Sequence, residues 1–286
     1  MANGGVRGMA GDRESRNRAK QNQSPPSRKG RGDYFPCVLG QSAMAADALA
    51  VTGLSHRIAG REILGDIEIA VQPGTFTVLL GQNGAGKTTL FSLVTRLYSA
   101  QSGSIRVFGR DLGAEPGRAL ALMGVVFQQR ALDPDLSARQ NLRYHAALHG
   151  MPGAVARQRI AAELERVGLA KEADRKIRSF SGGEARRIEI ARALLHEPRL
   201  LLCDEATVGL DIRSRAAILA DVRGLVRERG LTVVWATHLI DEVEAADPTI
   251  ILHRGHILRQ GPAASIISDL GAGGLQDAFR RLTEAA

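Results

Sequence analysis

From Leu49 onward the chain reads as short apolar runs alternating with helical stripes. LAVTGLSHRI (49–58) and ILGDIEIAV (63–71) are strand-like and turn-rich, and they predict a small antiparallel sheet. FTVLL (76–80) is a continuous apolar run ending in Gly81, as a buried strand should be. After it Leu90, Leu93, Val94 and Leu97 fall at i, i+3, i+4 and i+7, one face of a helix. SIRVFG (104–109), GVVF (124–127), LLLC (200–203) and TVVWAT (232–237) predict further strands, and a helix is expected near 213–228. Between the second and third of these runs lies a mostly helical block, about 130–180, with Ile160, Leu164 and Val167 on one face. TIILHRGHILRQG (249–261) reads as a hairpin around Arg254-Gly255. Residues 269–286 carry only a short amphipathic stretch and are expected as a tail. Strands alternating with helices predict an α/β core with parallel strands, the helical block being an inserted subdomain.

Composition narrows this picture. The 286 residues are 44% hydrophobic and 24% charged, a globular balance, and only 4% aromatic, which argues against a surface that stacks nucleic-acid bases. The formal charge is +8, but residues 1–44 hold eight cations and three acids, so +5 of it sits in that segment and +3 in the rest. A basic tail on an ordinary domain follows, without a nucleic-acid partner. Gly, Arg, Ser, Asn and Gln dominate residues 1–44, a composition that buries no core, so a disordered segment is expected there; Met44 is a possible alternative start. Two cysteines, Cys37 and Cys203, indicate no disulfide framework and suit a reducing cytosol. No apolar stretch approaches the ~18 residues of a membrane span.

The chemistry gathers where strands end. GQNGAGKTT (81–89) fits G-x-x-x-x-G-K-[ST] between a buried strand and a helix. In such a loop Gly81, Gln82, Asn83, Gly84, Ala85 and Gly86 wrap backbone N–H groups around a phosphate chain. Lys87 adds charge for the β/γ-phosphates, the Thr88 hydroxyl suits Mg²⁺, and Thr89 continues the helix N-terminus toward the anion. LLLCDE (200–205) ends a buried strand in two carboxylates, Asp204 placed to hold Mg²⁺ and Glu205 to orient or deprotonate an attacking water. VVFQQ (125–129) ends another strand with Gln128, a ligand for Mg²⁺ or a holder of the water. WATH (235–238) ends a third with His238, a contact for the γ-phosphate. Ligands of open α/β sheets collect at these carboxyl ends.

FSGGE (180–184) is different, a polar corner running directly into an amphipathic helix. Ser181 and Glu184 make S-x-x-E, a capping box. Gly182 and Gly183 add nothing to a cap, but they suit a corner that presents hydroxyl and N–H groups to an external anion.

Taken together, GQNGAGKTT, VVFQQ, FSGGE, LLLCDE, TVGLD (207–211), WATH and the VQPG before FTVLL resemble the nucleotide-binding domain of ABC transporters over about residues 48 to 268. TLFSLVTRLYSAQSGSIRVFG, YHAALHG and DEATVGLD look most like a narrower group, the ABC-2 type exporter ATPases associated with PQQ-dependent alcohol catabolism. The resemblance implies a P-loop NTPase (RecA-like) core with an N-terminal antiparallel β subdomain and an inserted α-helical subdomain. It implies ATP and Mg²⁺ as cofactors, a domain over 45–268, and a head-to-tail homodimer with two ATP sites. In that dimer Ser181, Gly182 and Gly183 meet the γ-phosphate of ATP held by the other subunit, and Asp211 lies at the same seam. A separate membrane permease as partner and a place on the cytoplasmic face of the bacterial inner membrane are implied as well. A soluble ABC ATPase working on nucleic acid or ribosomes is the alternative; its long coiled-coil arms or paired domains are not seen in this sequence.

Three positions depart from the family pattern. The signature ends in Glu184 where Gln is usual, Ala206 replaces a common Pro after the catalytic Glu, and Ile58 stands where an aromatic residue stacks on adenine. His56 is the candidate substitute for that ring. Modest ATP affinity and weak base selectivity are expected.

Overall fold

The computed structural model describes residues 46–285; the expectations for residues 1–44 lie outside them. Strands β1 (Leu49–Ile58) and β2 (Arg61–Val71) form a hairpin closed at Ala59-Gly60, both with positive φ, the two-residue turn whose twist matches paired strands. With β4 (Ser102–Val107) and β5 (Arg110–Asp111) they make a four-stranded antiparallel sheet in the order β2-β1-β4-β5.

The second sheet has six strands in the order β10-β9-β3-β8-β7-β6. Its members are β3 (Phe76–Leu80), β6 (Met123–Val126), β7 (Leu200–Asp204), β8 (Thr232–Thr237), β9 (Pro248–His253) and β10 (His256–Pro262). All neighbours are parallel except the β9–β10 hairpin. β3, β7 and β8 are buried at every residue, which is why they read as unbroken apolar runs. The hairpin turns at Arg254-Gly255, the dipeptide expected, with both residues at positive φ.

Helices α1 (Lys87–Val94) and α2 (Pro116–Leu120) lie before β6 in the chain. Helices α3 (Ala138–Leu148), α4 (Gly153–Arg166) and α5 (Gly182–Leu194) lie between β6 and β7. The helical block has its own core, in which Leu142, Ile160, Leu164, Val167 and Ile177 meet Ala185, Ile188 and Leu195. That core therefore runs beyond the 130–180 boundary into α5. The opposite side of α5 places Ile190, Ala193 and Leu194 against the parallel sheet beside Val126, Leu201 and Trp235. A helix apolar on two sides is a core helix, and α5 joins insert to sheet. Arg166 of α4 adds a second tie, its Nη1 lying 2.6 Å from Asp221 of α6 (Ile212–Arg229).

After β10 come α7 (Ala263–Asp269) and α8 (Leu275–Glu284). Residues 269–286, expected as a tail, include α8, whose Leu275, Ala278 and Phe279 are buried in the same core as Trp235. The spacing i, i+3, i+4 is a narrow stripe, easily missed over ten residues. Among the described residues no helix is long and apolar enough to cross a membrane.

Candidate functional site

Four adjacent parallel strands, β3, β8, β7 and β6, end at one edge of the sheet and deliver Gly81, His238, Asp204-Glu205 and Gln128 respectively. This is the gathering expected from the sequence.

The loop 81–89 is open at its tip: Gln82, Asn83, Gly84 and Thr88 are exposed, Thr89 is half-buried, and Gly81, Ala85, Gly86 and Lys87 are buried. The Gly81 N–H donates to the Thr237 carbonyl at 3.1 Å, which pins the loop to β8. Gly86 is the N-cap of α1 with φ 112°, and a Cβ there would come within 2.8 Å of Leu64 Cδ2, so both conformation and space demand glycine. No side chain caps α1, which leaves the N–H groups of its first turn available to an anion. Lys87 is only 4% exposed, and its Nζ donates to the carbonyls of Gly81 at 2.7 Å and Gln82 at 3.1 Å. It also pairs with Glu205 Oε1 at 3.1 Å.

Glu205 is the hub. Its backbone N–H donates to Ala236 O at 2.9 Å, and its φ of 48° is a left-handed conformation that costs a non-glycine residue about 1–2 kcal/mol. Strain of this kind is kept where the surroundings over-determine it. Gln128 Nε2 donates to Glu205 Oε2 at 3.1 Å, and His238 Nδ1 lies 3.3 Å from Glu205 Oε1. Lys87, Gln128 and His238, from three different strand ends, thus meet on one buried carboxylate.

Asp204 is 1% exposed, and neither carboxylate oxygen has a hydrogen-bond partner. Burial raises its pKa, and Glu205 beside it adds to that, against the opposing pull of Thr88 and Lys87. Two orphaned buried oxygens beside a threonine hydroxyl fit a hard divalent cation, whose preferred ligands are oxygens.

The FSGGE corner lies elsewhere. Ser181 is the N-cap of α5, and both halves of the capping box form: Ser181 Oγ accepts from Glu184 N at 3.2 Å, and Glu184 Oε2 accepts from Ser181 N at 2.8 Å. The Ser181 N–H holds the Glu184 carboxyl below the usual range. Gly183 has a reason inside the chain that sequence reading missed. A Cβ there would stand 2.5 Å from Ser214 Oγ and 2.8 Å from Ser214 Cβ, so α5 and α6 can approach only over a bare backbone. Ser214 in turn donates through N at 2.9 Å and through Oγ at 2.7 Å to Asp211, the N-cap of α6. The Asp211 carboxyl is held low by these contacts. Asp211, Ser214 and Gly183 therefore lock the two helix starts together. No hydrogen bond among the described residues joins Ser181, Gly182 or Gly183 to the loop 81–89.

Sequence reading also missed Arg186 and Glu242. Arg186, 5% exposed on α5, donates to Phe127 O at 2.8 Å and Gln128 O at 3.1 Å, and pairs with Glu189 Oε2 at 2.8 Å. Glu189 Oε1 accepts from Ala131 N at 2.7 Å. The segment carrying Gln128 is thus held at both ends by α5. Glu242, 2% exposed, accepts from Trp235 Nε1 at 2.9 Å and from the Thr207 hydroxyl, which anchors the start of TVGLD to β8. Ile58 is 44% exposed and available to a flat ligand, whereas His56 is not: it is 7% exposed with Tyr98 stacked on it at 5.9 Å. His56 is therefore no substitute for the missing aromatic ring.

The profile of the ABC transporter family matches residues 64–208, which contain the phosphate loop, Gln128, the FSGGE corner and both acids. The chain belongs to the ABC transporter family. It is 40% identical over 212 residues to linearmycin resistance ATP-binding protein LnrL of Bacillus subtilis (strain 168), covering 74% of this chain and 68% of LnrL. It is 36% identical over 229 residues to daunorubicin resistance ATP-binding protein DrrA3 of Streptomyces coeruleorubidus, covering 80% of this chain and 72% of that one. Among solved structures, the dimeric ATP-binding cassette MJ0796 in a post-hydrolysis state, with ADP and Pi bound, superimposes with a TM-score of 0.67 at 26% identity, over 75% of this chain and 98% of that one. The fold is that of an ABC ATPase domain, a P-loop NTPase core with an antiparallel β subdomain and a helical insert, and the chain is the ATP-binding, ATP-hydrolysing component of an ABC transporter.

Proposed function

We propose that residues 45–268 form an ATP-driven clamp that closes on a second copy of this chain and powers export by a separate membrane permease, from the cytoplasmic face of the membrane. The observation that carries this reading is the split site. Lys87, Asp204, Glu205, Gln128 and His238 converge at one sheet edge, while the anion-presenting Ser181 corner has no hydrogen bond to the phosphate loop of its own chain. A second chain placed head to tail brings that corner to the γ-phosphate. Export is favoured by the resistance proteins among the relatives.

In this reading the loop 81–86 and the uncapped start of α1 bind the phosphates. Lys87 leaves the carbonyls of Gly81 and Gln82 to meet the β/γ-phosphates, with Thr89 at the helix start beside them. Thr88, Asp204 and Gln128 would hold Mg²⁺, which when bound neutralises charge on the phosphate oxygens. Once Lys87 turns away, Glu205 Oε1 is freed to accept a hydrogen bond from the attacking water. His238 holds Glu205 on one side and reaches the γ-phosphate on the other. Asp211, fixed by Ser214, stiffens the seam next to Ser181. Adenine packs on Ile58 without π-stacking, so ATP and GTP compete with similar affinities, to be read in a nucleotide competition assay.

Hydrolysis tests the site directly. The full chain should hydrolyse ATP only with Mg²⁺, and Glu205→Gln should retain ATP while hydrolysis falls at least about a hundredfold. Equal rates in wild type and Glu205→Gln would remove Glu205 from the mechanism.

A further inference from the structure

His145, His149 and His196 lie together well away from the phosphate loop in sequence, and no step above uses them. Their candidate ligand nitrogens all lie within 4.8 Å of one another. His145 and His149 are four residues apart, His149 being the residue that caps the C-terminal end of α3, so both side chains project from one face. Their ring centroids are 4.6 Å apart. His196, just past the end of α5, stacks on His149 at 4.0 Å.

The hydrogen bonding decides which nitrogens are free. His196 Nε2 lies 2.9 Å from the carbonyl of Met123, and only an N–H can satisfy a carbonyl, so Nε2 carries the proton. His196 Nδ1 is then a bare lone pair. It is buried without a partner in a residue only 6% exposed, and His145 Nε2 is likewise buried without a partner. A ring held by one N–H on a backbone carbonyl, with its other nitrogen unprotonated, buried and unpartnered beside two further imidazoles, has the tautomer that a metal-ligating histidine needs.

We propose that His145, His149 and His196 bind one borderline divalent transition ion, of which Zn²⁺ is the type, with a fourth coordination position open. Three imidazoles and no carboxylate select such an ion over Mg²⁺ or Ca²⁺. The Arg192 charge acts on His145 from α5 and opposes the cation, which sets the affinity below that of an acidic site. Tetrahedral Zn–N bonds of about 2.0–2.1 Å bring ligand nitrogens to about 3.3 Å, so binding draws the nitrogens together and breaks the near-parallel stack of His149 on His196. His149, half-buried at the helix end, is the ring free to turn out of its stack. Bound metal would clip α3 to the end of α5 and to Met123, the first residue of β6, the strand that leads to Gln128.

The test uses the full chain, stripped with a chelator and titrated with Zn²⁺ in excess Mg²⁺, which occupies oxygen sites but does not compete for imidazole. Equilibrium dialysis should find one Zn²⁺ per chain, and Co²⁺ in its place should give the visible d–d absorption of a low-coordinate nitrogen site. His149→Ala removes a half-buried ring and should stay folded by circular dichroism. It should weaken Zn²⁺ binding at least about tenfold and abolish the Zn²⁺-induced rise in melting temperature. His145→Gln should do the same. No retained Zn²⁺ in the wild type, or unchanged binding in folded His149→Ala, would overturn the proposal.

Discussion

Arg186→Met is the substitution that should expose how the Gln128 segment is held. Methionine keeps the length of the side chain and its packing but removes the guanidinium. Lost with it are the bonds to Phe127 O at 2.8 Å and Gln128 O at 3.1 Å and the ion pair to Glu189 at 2.8 Å. Glu189 is 1% exposed and keeps only Arg192 as a nearby cation, and breaking one side of a buried pair costs up to about 3–5 kcal/mol. The double variant Arg186→Met/Glu189→Gln removes that charge yet keeps an acceptor for Ala131 N. Only the two stranded carbonyls then remain, worth about 1–3 kcal/mol each if fully desolvated and less where water reaches them. The double variant should therefore be more stable than the single one by at least about 1 kcal/mol. Urea unfolding followed through Trp235, the sole tryptophan and fully buried, reads this out. ATP hydrolysis should fall in both, because the Gln128 backbone has lost its anchor. A single variant that costs under about 1 kcal/mol, or a double variant no better than the single, would refute the reasoning.

Asp204→Asn should raise the melting temperature of metal-free, nucleotide-free protein while abolishing Mg²⁺-dependent hydrolysis. Its pKa is raised in the fold, so the ionised carboxylate opposes folding at pH values above its ordinary range, and a neutral amide removes that penalty; an unchanged or lower melting temperature would contradict it. Gly183→Ala should cost about 1–3 kcal/mol through its clash with Ser214, and Ser214→Gly in the same chain should recover most of that in denaturant titration. Glu242→Ala strands the Trp235 indole N–H and frees Thr207, and should cost about 1–3 kcal/mol with a changed tryptophan emission spectrum; an unshifted spectrum would show that the Trp235–Glu242 bond is not made.

Which of these residues can be seen in the sequence follows from the range of the forces that place them. The phosphate loop, the acid pair and the hairpins are local: a buried run such as FTVLL, then glycines, then a helix stripe, all within about twenty residues, and the structure matches them closely except that α1 ends at Val94 and leaves Leu97, expected on its buried face, 63% exposed. Gln128 and His238 are readable because parallel strands gather their ends, whatever the order of the strands. Arg186, Glu242 and the true demand on Gly183 are not readable, because each depends on which distant element lies opposite: Gln128 for Arg186, Thr207 and Trp235 for Glu242, Ser214 for Gly183. Leu275, Ala278 and Phe279 were hidden for the same reason, since a three-residue stripe becomes a core contact only once a sheet face is left open for it. His196 looks like one more polar residue at a helix end until α3 brings His145 and His149 against it.

The central claim is that the Ser181 corner completes an ATP site on a second chain. Light scattering on the full chain carrying Glu205→Gln, with and without Mg-ATP, tests it most directly, with Ser181→Arg added as the control. The account predicts that Mg-ATP doubles the mass of the Glu205→Gln protein and leaves the Ser181→Arg double variant monomeric. A mass that stays monomeric with ATP bound, or a Ser181→Arg variant that dimerises as well as its parent, would contradict it.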